Sequence, residues 1–402
     1  MPTRPALDFS SPAVDRALGD VTESLHVFGR DSRVVRAAIT YSLWKKRTLS
    51  SLAQYFYRFT KRTPKTETLR VFYWLPGGLG DVACARRLVS AYRTLLPTAQ
   101  FEIFSPVSGA AQAVFSDIKS VTFAASAKRY WKDYDLVVQA CLAAKFLHVD
   151  WARVEKMAPS FIPILRQAQT AQDKLGILLE DVFLTEPVLG RWLYRLGGRR
   201  FDLLSYTSGV TLPHDVSTPL ATDGKARQKF GLTGVNYLTF HDGALGEKEM
   251  PTRMWPTARW QELLGRLKQQ FPNLKIVQLG AVQSPKYQEA DVCLVGKTEL
   301  TDLPDLLAGS RLHIDSESGL VHLAALTQTP SVVLFGPSDV SFFGYERNMN
   351  LSAGNCGGCM WAKPNWMKQC PLGHTQAPCM QAISVEQVLA AVREKLNVSD
   401  VR

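Results

Sequence analysis

Hydrophobic residues occur along most of this chain in short runs that alternate with amphipathic segments. Short apolar runs bounded by glycine, proline or polar residues are typical of strands buried on both faces. Apolar residues that recur every three or four positions between these runs predict helices. The predicted strands lie at 69–75, 101–106, 120–124, 134–140, 237–243, 274–280, 291–296, 312–315 and 331–335. This alternation predicts an α/β fold with parallel sheets covered by helices.

The alternation occurs in two series, which predicts two doubly wound, Rossmann-like domains. Between 143 and 212 it lapses into helical, aromatic and basic sequence, and 213–224 is rich in proline and polar residues, as linkers are. A length of 402 residues suits two domains. The predicted boundaries are an N-terminal extension at 1–67, a first domain at 68–215, a second domain at 225–350, and a cysteine-rich loop with a C-terminal helix at 351–402.

The composition is that of a globular protein, with 46% hydrophobic and 21% charged residues. No apolar run reaches the roughly 20 residues that a membrane-spanning helix needs. The N-terminus lacks the apolar core of a secretory signal. We therefore expect a cytoplasmic protein.

The net charge of +11 is concentrated near the N-terminus. Between Arg30 and Arg70 there are eleven basic residues against only Asp31 and Glu67, so this segment alone carries +9. Such a basic, aromatic-rich stretch can lie on an anionic membrane surface, which would make the protein peripheral at the inner face of the cytoplasmic membrane. The other interpretation is a helical extension packed on the first domain. No nucleic-acid partner is expected.

The most informative segment runs from Asp315 to Asp339 and reads DSESGLVHLAALTQTPSVVLFGPSD. It predicts a strand end, a polar loop, a helix, a buried strand and a turn. Ser318 and Gly319 suit a helix start whose free N–H groups can receive an anion. Glu317, or Asp315 in its place, could accept a ribose hydroxyl, and His322 could donate to a phosphate. The alternative is an ordinary βαβ unit with a capped helix.

A glycine-rich turn follows the first predicted strand. Gly78 and Gly80 allow a ligand to approach the backbone, and Asp81 follows them at the carboxyl end of that strand. Open α/β sheets bind ligands at this end of their strands. Asp81 could instead be a helix cap, a role that aspartate fills well.

Together these motifs resemble glycosyltransferase family nine, the heptosyltransferase-type enzymes. The resemblance rests on Gly80-Asp81, on the run from Ser318 to Ala325, on 335–339 (FGPSD), and on Arg253-Met254-Trp255-Pro256 followed by Arg259-Trp260. It covers roughly residues 68 to 395, in the order of the family. Two positions depart from the family pattern: Glu317 replaces an aspartate, and Arg253 replaces a lysine, for which Lys248 is another candidate.

The resemblance implies the GT-B architecture, in which two Rossmann-like domains face a cleft. It implies an inverting, metal-independent glycosyltransferase that moves a sugar, heptose above all, from a nucleotide-diphosphate sugar such as ADP-heptose to a hydroxyl of a lipopolysaccharide core or other envelope glycan. Asp81 would be the general base. The donor-binding residues would be Gly78, Gly80, Lys248, Arg253, Glu317, Ser318, Gly319 and His322. Two alternatives are a protein heptosyltransferase and a non-catalytic nucleotide-sugar-binding scaffold.

Four of the seven cysteines lie close together near the C-terminus, namely Cys356, Cys359, Cys370 and Cys379. In a cytosolic protein a C-x-x-C pair with two further cysteines favours a metal over disulfides. A closed four-sulfur site would hold a structural zinc or iron, with His374 as a substitute ligand. The remaining cysteines lie in apolar runs and are predicted to be core residues.

Overall fold

The computed structural model describes residues 7–9, 11, 13–14, 16–17, 66–126, 131–180, 185–216, 219–243, 250–363 and 365–399. The chain divides into two compact units. Unit 1 contains the described residues of Met1–Gly77 together with Ala85–Pro106 and Ile118–Leu212. Unit 2 contains Gly78–Cys84, Val107–Asp117 and the described residues from Pro213 onward. Most of the basic N-terminal stretch, for which membrane binding and packing on the first domain are the two interpretations, lies outside the described residues, as does Lys248.

The sheet of unit 1 has five strands in the order β3-β2-β1-β4-β5. The strands are β1 (Arg70–Trp74), β2 (Gln100–Phe104), β3 (Val121–Phe123), β4 (Leu136–Ala140) and β5 (Ala144–Val149). The first four are parallel, whereas β5 runs antiparallel to β4. Strand β5 was not predicted, because its half-buried sequence AKFLHV carries neither a continuous apolar run nor a hairpin-turn signal.

Helices follow the strands in chain order. They are α1 (Leu79–Leu95), α2 (Ala110–Phe115), α3 (Trp151–Met157), α4 (Ile162–Leu175), α5 (Arg191–Arg195) and α6 (Asp202–Ser208). Short 3-10 helices lie at Trp131–Asp133, Pro159–Phe161 and Gly176–Leu179, and a π-helix at Thr185–Gly190. Helix α2 and the first turn of α1 cluster with unit 2.

Aromatic rings fill the core of unit 1. Tyr73 stacks on Phe101 across β1 and β2, with ring centroids 6.3 Å apart. Tyr92 of α1 meets Phe161 edge to face, with centroids 4.9 Å apart. The Tyr92 hydroxyl donates to the Ser208 carbonyl at 2.7 Å, so a buried polar atom is satisfied at the end of α6.

The sheet of unit 2 has six parallel strands in the order β11-β10-β9-β6-β7-β8. They are β6 (Tyr237–His241), β7 (Lys275–Gln278), β8 (Val292–Cys293), β9 (His313–Ser316), β10 (Ser331–Phe335) and β11 (Met349–Ser352). The predicted α/β class with parallel sheets is confirmed. Only β11 was not predicted here, since its sequence MNLS is short and half polar.

The helices of unit 2 beyond α2 are α7 (Lys225–Lys229), α8 (Thr257–Gln270), α9 (Leu303–Ala308), α10 (Gly319–Leu326), α11 (Val340–Phe343), α12 (Pro378–Ala382) and α13 (Val385–Ser399). Two 3-10 turns lie at Pro251–Arg253 and Leu300–Asp302. Within the described residues, none of the helices is both long and apolar enough to cross a membrane.

The C-terminal segment packs into the core of unit 2. Trp255 and Trp260 meet edge to face with centroids 5.2 Å apart, and both are buried beneath the sheet. The Trp255 indole N–H donates to the Ile383 carbonyl at 2.9 Å, between α12 and α13. The Trp-Pro segment of the sequence motif is therefore a packing element that holds the C-terminal helices.

Candidate active site

The strand order of unit 2 reverses between β6 and β9. Strands β7 and β8 lie on one side of this point, and β10 and β11 lie on the other. Parallel sheets of this kind bind ligands outside the carboxyl ends of the strands where the order reverses. His241 is the last residue of β6, and the register pairs it with Asp315 near the end of β9. The candidate site lies at this edge.

Gly80 and Gly319 bring two backbone segments into direct contact at this edge. A Cβ on Gly80 would lie 3.1 Å from the Gly319 Cα and 3.0 Å from the His322 Cδ2. A Cβ on Gly319 would lie 3.0 Å from the Gly80 backbone nitrogen. Such approaches need glycine, because backbone atoms cannot move aside as a flexible side chain can. The two motifs that the sequence analysis paired therefore touch each other.

Ser318 caps helix α10, as predicted from the Ser-Gly sequence. Its Oγ accepts from the Leu320 N–H at 3.1 Å and donates to the carboxylate of Asp315. The cap satisfies one N–H of the first helical turn. It also ties the helix start to strand β9.

Asp315 is completely buried and accepts from three side chains. His241 Nδ1 lies 3.0 Å from its Oδ1, His313 Nε2 lies 3.3 Å from its Oδ2, and Ser318 Oγ is the third donor. Burial alone would raise the pKa of Asp315, but the charges and hydrogen bonds of the two histidines lower it. The alternative that Asp315 accepts a ribose hydroxyl is therefore wrong, since its carboxylate is saturated within the protein and has no exposed surface.

Glu317 lies two residues further along and joins a second buried cluster. The Arg253 Nη2 donates to both the carboxylate and the backbone carbonyl of Glu317. His322 Nε2 lies 3.5 Å from Glu317 Oε1, and Ser338 donates a further hydrogen bond. Burial alone would raise the pKa of Glu317, but Arg253 and His322 lower it to about 2. Three predicted or motif residues, Arg253, His322 and Ser338, thus meet around the Glu317 carboxylate.

His322 stands behind the contact between the glycines. Its Nδ1 lies 2.8 Å from the Tyr345 hydroxyl, and it also interacts with the Cys84 thiol of α1. Burial lowers the pKa of His322, but interactions with Cys84, Tyr345 and Glu317 raise it well above its ordinary value. With the guanidinium of Arg253, the protonated imidazole gives the Glu317 cluster an excess of positive charge, which suits an anionic ligand.

Asp81 occupies the first turn of α1, half-exposed. Its Oδ2 accepts from the Gly78 N–H at 3.2 Å, so the side chain reaches back to the start of its own helix. This is one half of a capping box. The capping interpretation is thereby confirmed as one role of Asp81. Gly78, unlike Gly80, has no atom within 4 Å of an added Cβ, so packing alone does not require glycine there.

The sequence analysis missed His241, Tyr345 and Ser338 as members of this site. His241 could have been found, because it is a polar residue at the carboxyl end of a predicted buried strand. Tyr345 and Ser338 follow β10, and nothing in their spacing indicates that they reach His322 and Glu317.

The cysteine-rich segment docks on the turn that follows β10. Gly358 N–H donates to the Gly336 carbonyl at 3.3 Å, and a Cβ on Gly336 would lie 3.4 Å from the Cys379 Sγ. Burial and the neighbouring Cys356 and Cys359 raise the pKa of the Cys379 thiol to about 12. Three of the four cysteines therefore lie near one another.

Within the described residues, these thiols are not arranged as a complete metal-binding site. Within the part of the chain that the structure describes, no group of three or more histidine, cysteine, aspartate or glutamate side chains has an arrangement that could hold a metal ion. None of the seven cysteines, all of which the structure describes, forms a disulfide. The predicted structural zinc or iron at Cys356, Cys359, Cys370 and Cys379 stays a prediction.

The same segment supports Arg253. Thr252 Oγ1 donates to the Met367 carbonyl at 2.7 Å, and the Thr252 N–H donates to the same carbonyl at 3.4 Å. Thr252 is buried and immediately precedes Arg253 in the Pro251–Arg253 turn. The cysteine-rich segment therefore helps to fix the position of the guanidinium that pairs with Glu317.

Part of this chain matches a known protein family. The sequence model of glycosyltransferase family 9 (heptosyltransferase) matches residues 198–376, which include Arg253, the helix start at Gly319 and the 335–339 turn. The match covers 179 of the 402 residues of the chain. The predicted resemblance to this family is confirmed over these residues.

A curated relative shares a shorter stretch. Lipopolysaccharide heptosyltransferase 1 of Pseudomonas aeruginosa is 26% identical over 135 residues, which are 32% of this chain and 37% of the relative. The match spans little more than a third of that relative.

Two solved structures resemble this chain over most of its length. Escherichia coli ADP-heptose lipopolysaccharide heptosyltransferase II gives a TM-score of 0.50 at 15% identity and covers 83% of this chain and all of its own. TibC, a bacterial iron-containing dodecameric glycosyltransferase of enterotoxigenic E. coli, gives a TM-score of 0.54 at 15% identity, covering 86% and 85%. These likenesses confirm the predicted GT-B fold class.

Gly319→Ala should reduce the stability of the protein by about 1–3 kcal/mol, because its Cβ meets the backbone of Gly80. Gly265→Ala is a matched control, since Gly265 lies inside helix α8 with no atom within 4 Å of an added Cβ. That control should raise stability by about 0.5–1 kcal/mol. Urea unfolding measures both variants. Equal changes in stability for the two variants would show that the contact between Gly80 and Gly319 can accommodate a Cβ.

Glu317→Gln should make the protein less stable at pH 7 by up to about 3 kcal/mol, because the depressed pKa of Glu317 favours the folded state. This contribution is fully present above the ordinary pKa of 4.5 and is lost as the pH falls toward about 2. The stability difference between wild type and variant should therefore shrink by roughly half or more at pH 3. Glu262→Gln, on the exposed face of α8, should change stability little at either pH. A difference for Glu317→Gln that does not change with pH would refute the ion cluster.

Protein purified without chelator should contain about one equivalent of zinc or iron per chain if the four cysteines are ligands. The double variant Cys356→Ser, Cys359→Ser should lose this metal, while Cys141→Ser, at a buried cysteine of unit 1, should keep it. Elemental analysis gives the metal content. Metal-free wild-type protein with all four thiols titratable would rule the site out.

Proposed function

We propose that the protein transfers heptose from ADP-heptose to a hydroxyl of a lipopolysaccharide core or another envelope glycan, with inversion at the anomeric carbon. The observation that carries the proposal is the cluster of Arg253, Glu317 and His322 beside the start of helix α10, at the switch point of the sheet in unit 2. The relation to an E. coli ADP-heptose lipopolysaccharide heptosyltransferase supports this donor and this acceptor class.

The donor's diphosphate would bind at the start of α10. The first N–H groups of that helix have no partner within the helix and carry partial positive charge. Ser318 and Gly319, at this helix start, are half-buried. Arg253 adds positive charge, and its buried Nε makes no hydrogen bond within the described residues. Lys248 remains a further candidate for this role.

Glu317 would act chiefly by holding these cations in place. Its carboxylate is bonded to Arg253, His322 and Ser338, and the residue is only 6% exposed. The ribose-binding role predicted from the sequence would need a side of this carboxylate that faces the ligand. The proposal keeps Glu317 in the donor site and assigns it first to charge balance.

The chemistry would be a single displacement. Asp81 takes the proton of the attacking hydroxyl, whose oxygen forms the new bond to the anomeric carbon. The bond from this carbon to the diphosphate breaks, and its electron pair leaves with the phosphate oxygen. Arg253, His322 and the helix N–H groups stabilise the negative charge that develops there. No catalytic metal is needed for these steps.

Membrane attachment of the basic N-terminal stretch remains part of the proposal, because an envelope glycan acceptor is carried on a membrane lipid. A protein acceptor is the alternative within the same chemistry. Incubation of the purified enzyme and ADP-heptose with lipid-linked core glycan or with an unglycosylated protein distinguishes the two acceptors.

Asp81→Asn should lower turnover of ADP-heptose by roughly 10²- to 10⁴-fold and leave the dissociation constant of ADP nearly unchanged, because asparagine cannot take a proton. The amide oxygen can still accept from the Gly78 N–H, so the helix cap survives. Asp150→Asn, at the cap of helix α3, is the matched control and should retain activity. Turnover is measured as release of ADP in the presence of acceptor. Full activity of Asp81→Asn would show that Asp81 only caps the helix and is not the general base.

A further inference from the structure

His241 is held at the switch point by a buried carboxylate. It is the last residue of β6, and its Nδ1 lies 3.0 Å from Asp315 Oδ1. The Asp315 side chain is fully buried, whereas that of His241 remains 12% exposed. A histidine tied to a buried carboxylate through one nitrogen has a fixed ring orientation, and its other nitrogen is a hydrogen-bond donor when the imidazole is protonated.

The other ring nitrogen of His241, Nε2, makes no hydrogen bond within the described part of the protein. Gly243 brings the chain that follows β6 back against β9, since a Cβ there would lie 2.5 Å from the Ser316 side chain, and its φ of +101° suits glycine. The backbone that follows His241 is therefore held close to the end of β9.

The charges that face His241 favour its protonated form. Burial lowers the pKa of His241, but the charge and hydrogen bond of Asp315 and the charge of Asp242 raise it, against opposition from Arg253. Asp315 is shared with His313, whose Nδ1 lies 3.0 Å from the Thr239 hydroxyl deeper in the core. His241 lies at the solvent-facing end of this chain of hydrogen bonds. Its protonated imidazole would attract an anion bound beyond the carboxyl ends of the strands.

One carboxylate thus orients two donor groups at the same edge. Asp315 holds His241 on one side and the Ser318 cap of α10 on the other. The N–H groups of the α10 start and the imidazole of His241 lie at the ends of adjacent strands, where the proposed function places a diphosphate.

We propose that His241 binds a phosphate oxygen of the nucleotide diphosphate, and that Asp315 is its positioning residue. This inference rests on the proposed function and adds a phosphate-binding residue to the same site. As the bond from sugar to phosphate breaks, His241 stabilises the charge that collects on the leaving diphosphate by donating a hydrogen bond.

The test is the affinity of His241→Gln for ADP and for adenosine, measured by calorimetry on the full-length protein. A charge-assisted hydrogen bond contributes about 1.5–3 kcal/mol, so ADP should bind roughly 10- to 100-fold more weakly, while adenosine, which lacks phosphate, should bind as it does to wild type. His148→Gln, on strand β5 of unit 1, should match wild type with both ligands.

A pH series separates a charged contact from a structural role. The ratio of wild-type to His241→Gln affinity for ADP should be largest at pH 6 and should fall as the pH rises and His241 loses its proton. The ionisation of ADP itself cancels in this ratio, because it affects both proteins equally. A merely structural role of His241 would give a ratio that does not change with pH and an equal loss of adenosine binding.

The outcomes distinguish this inference from the proposed function. Unchanged ADP affinity in His241→Gln, with wild type binding ADP normally, would overturn the role of His241 and leave the proposed function intact. Wild type that binds no ADP would overturn both. Thermal unfolding of each variant shows whether an equal loss of both ligands reflects a failure to fold.

Discussion

The contact between the backbones of Gly80 and Gly319 is the constraint on which the candidate site depends. These glycines lie more than 200 residues apart in the sequence, and a Cβ added to either would lie 3.0–3.1 Å from a backbone atom of the other. The contact brings the Gly-Asp turn to the start of helix α10 and places His322 beside Cys84. Backbone N–H groups can then meet a ligand directly, with fixed geometry and little loss of side-chain entropy.

Two buried carboxylates, Asp315 and Glu317, organise the charges around this contact. Asp315 faces His241, His313 and the Ser318 cap, whereas Glu317 faces Arg253, His322 and Ser338. Burial alone would raise the pKa of each carboxyl, but the charges and hydrogen bonds of its partners lower it. Breaking either set would leave a buried charge without compensation. We infer that this arrangement maintains positive charge at the strand ends before any ligand arrives.

Much of this site could be predicted from the sequence, because its motifs are local. The apolar run of β1 followed by glycines, and the Ser-Gly start of α10 before a buried strand, predicted elements that the structure confirms. Contacts set by register or by long loops could not be predicted. The pairing of His241 with Asp315 needs the alignment of β6 with β9, and the bond from Thr252 to Met367 joins segments more than a hundred residues apart. Strand β5 could not be predicted, because it lies at the edge of the sheet, is only half-buried and therefore lacks a continuous apolar run.

The most direct test of the central claim is a crystal structure of the protein with ADP. The account predicts that the diphosphate lies outside the carboxyl ends of β6 and β9, within hydrogen-bond distance of the Gly319 backbone N–H and close to Arg253. A diphosphate bound elsewhere, with the start of α10 still covered only by solvent, would contradict the account.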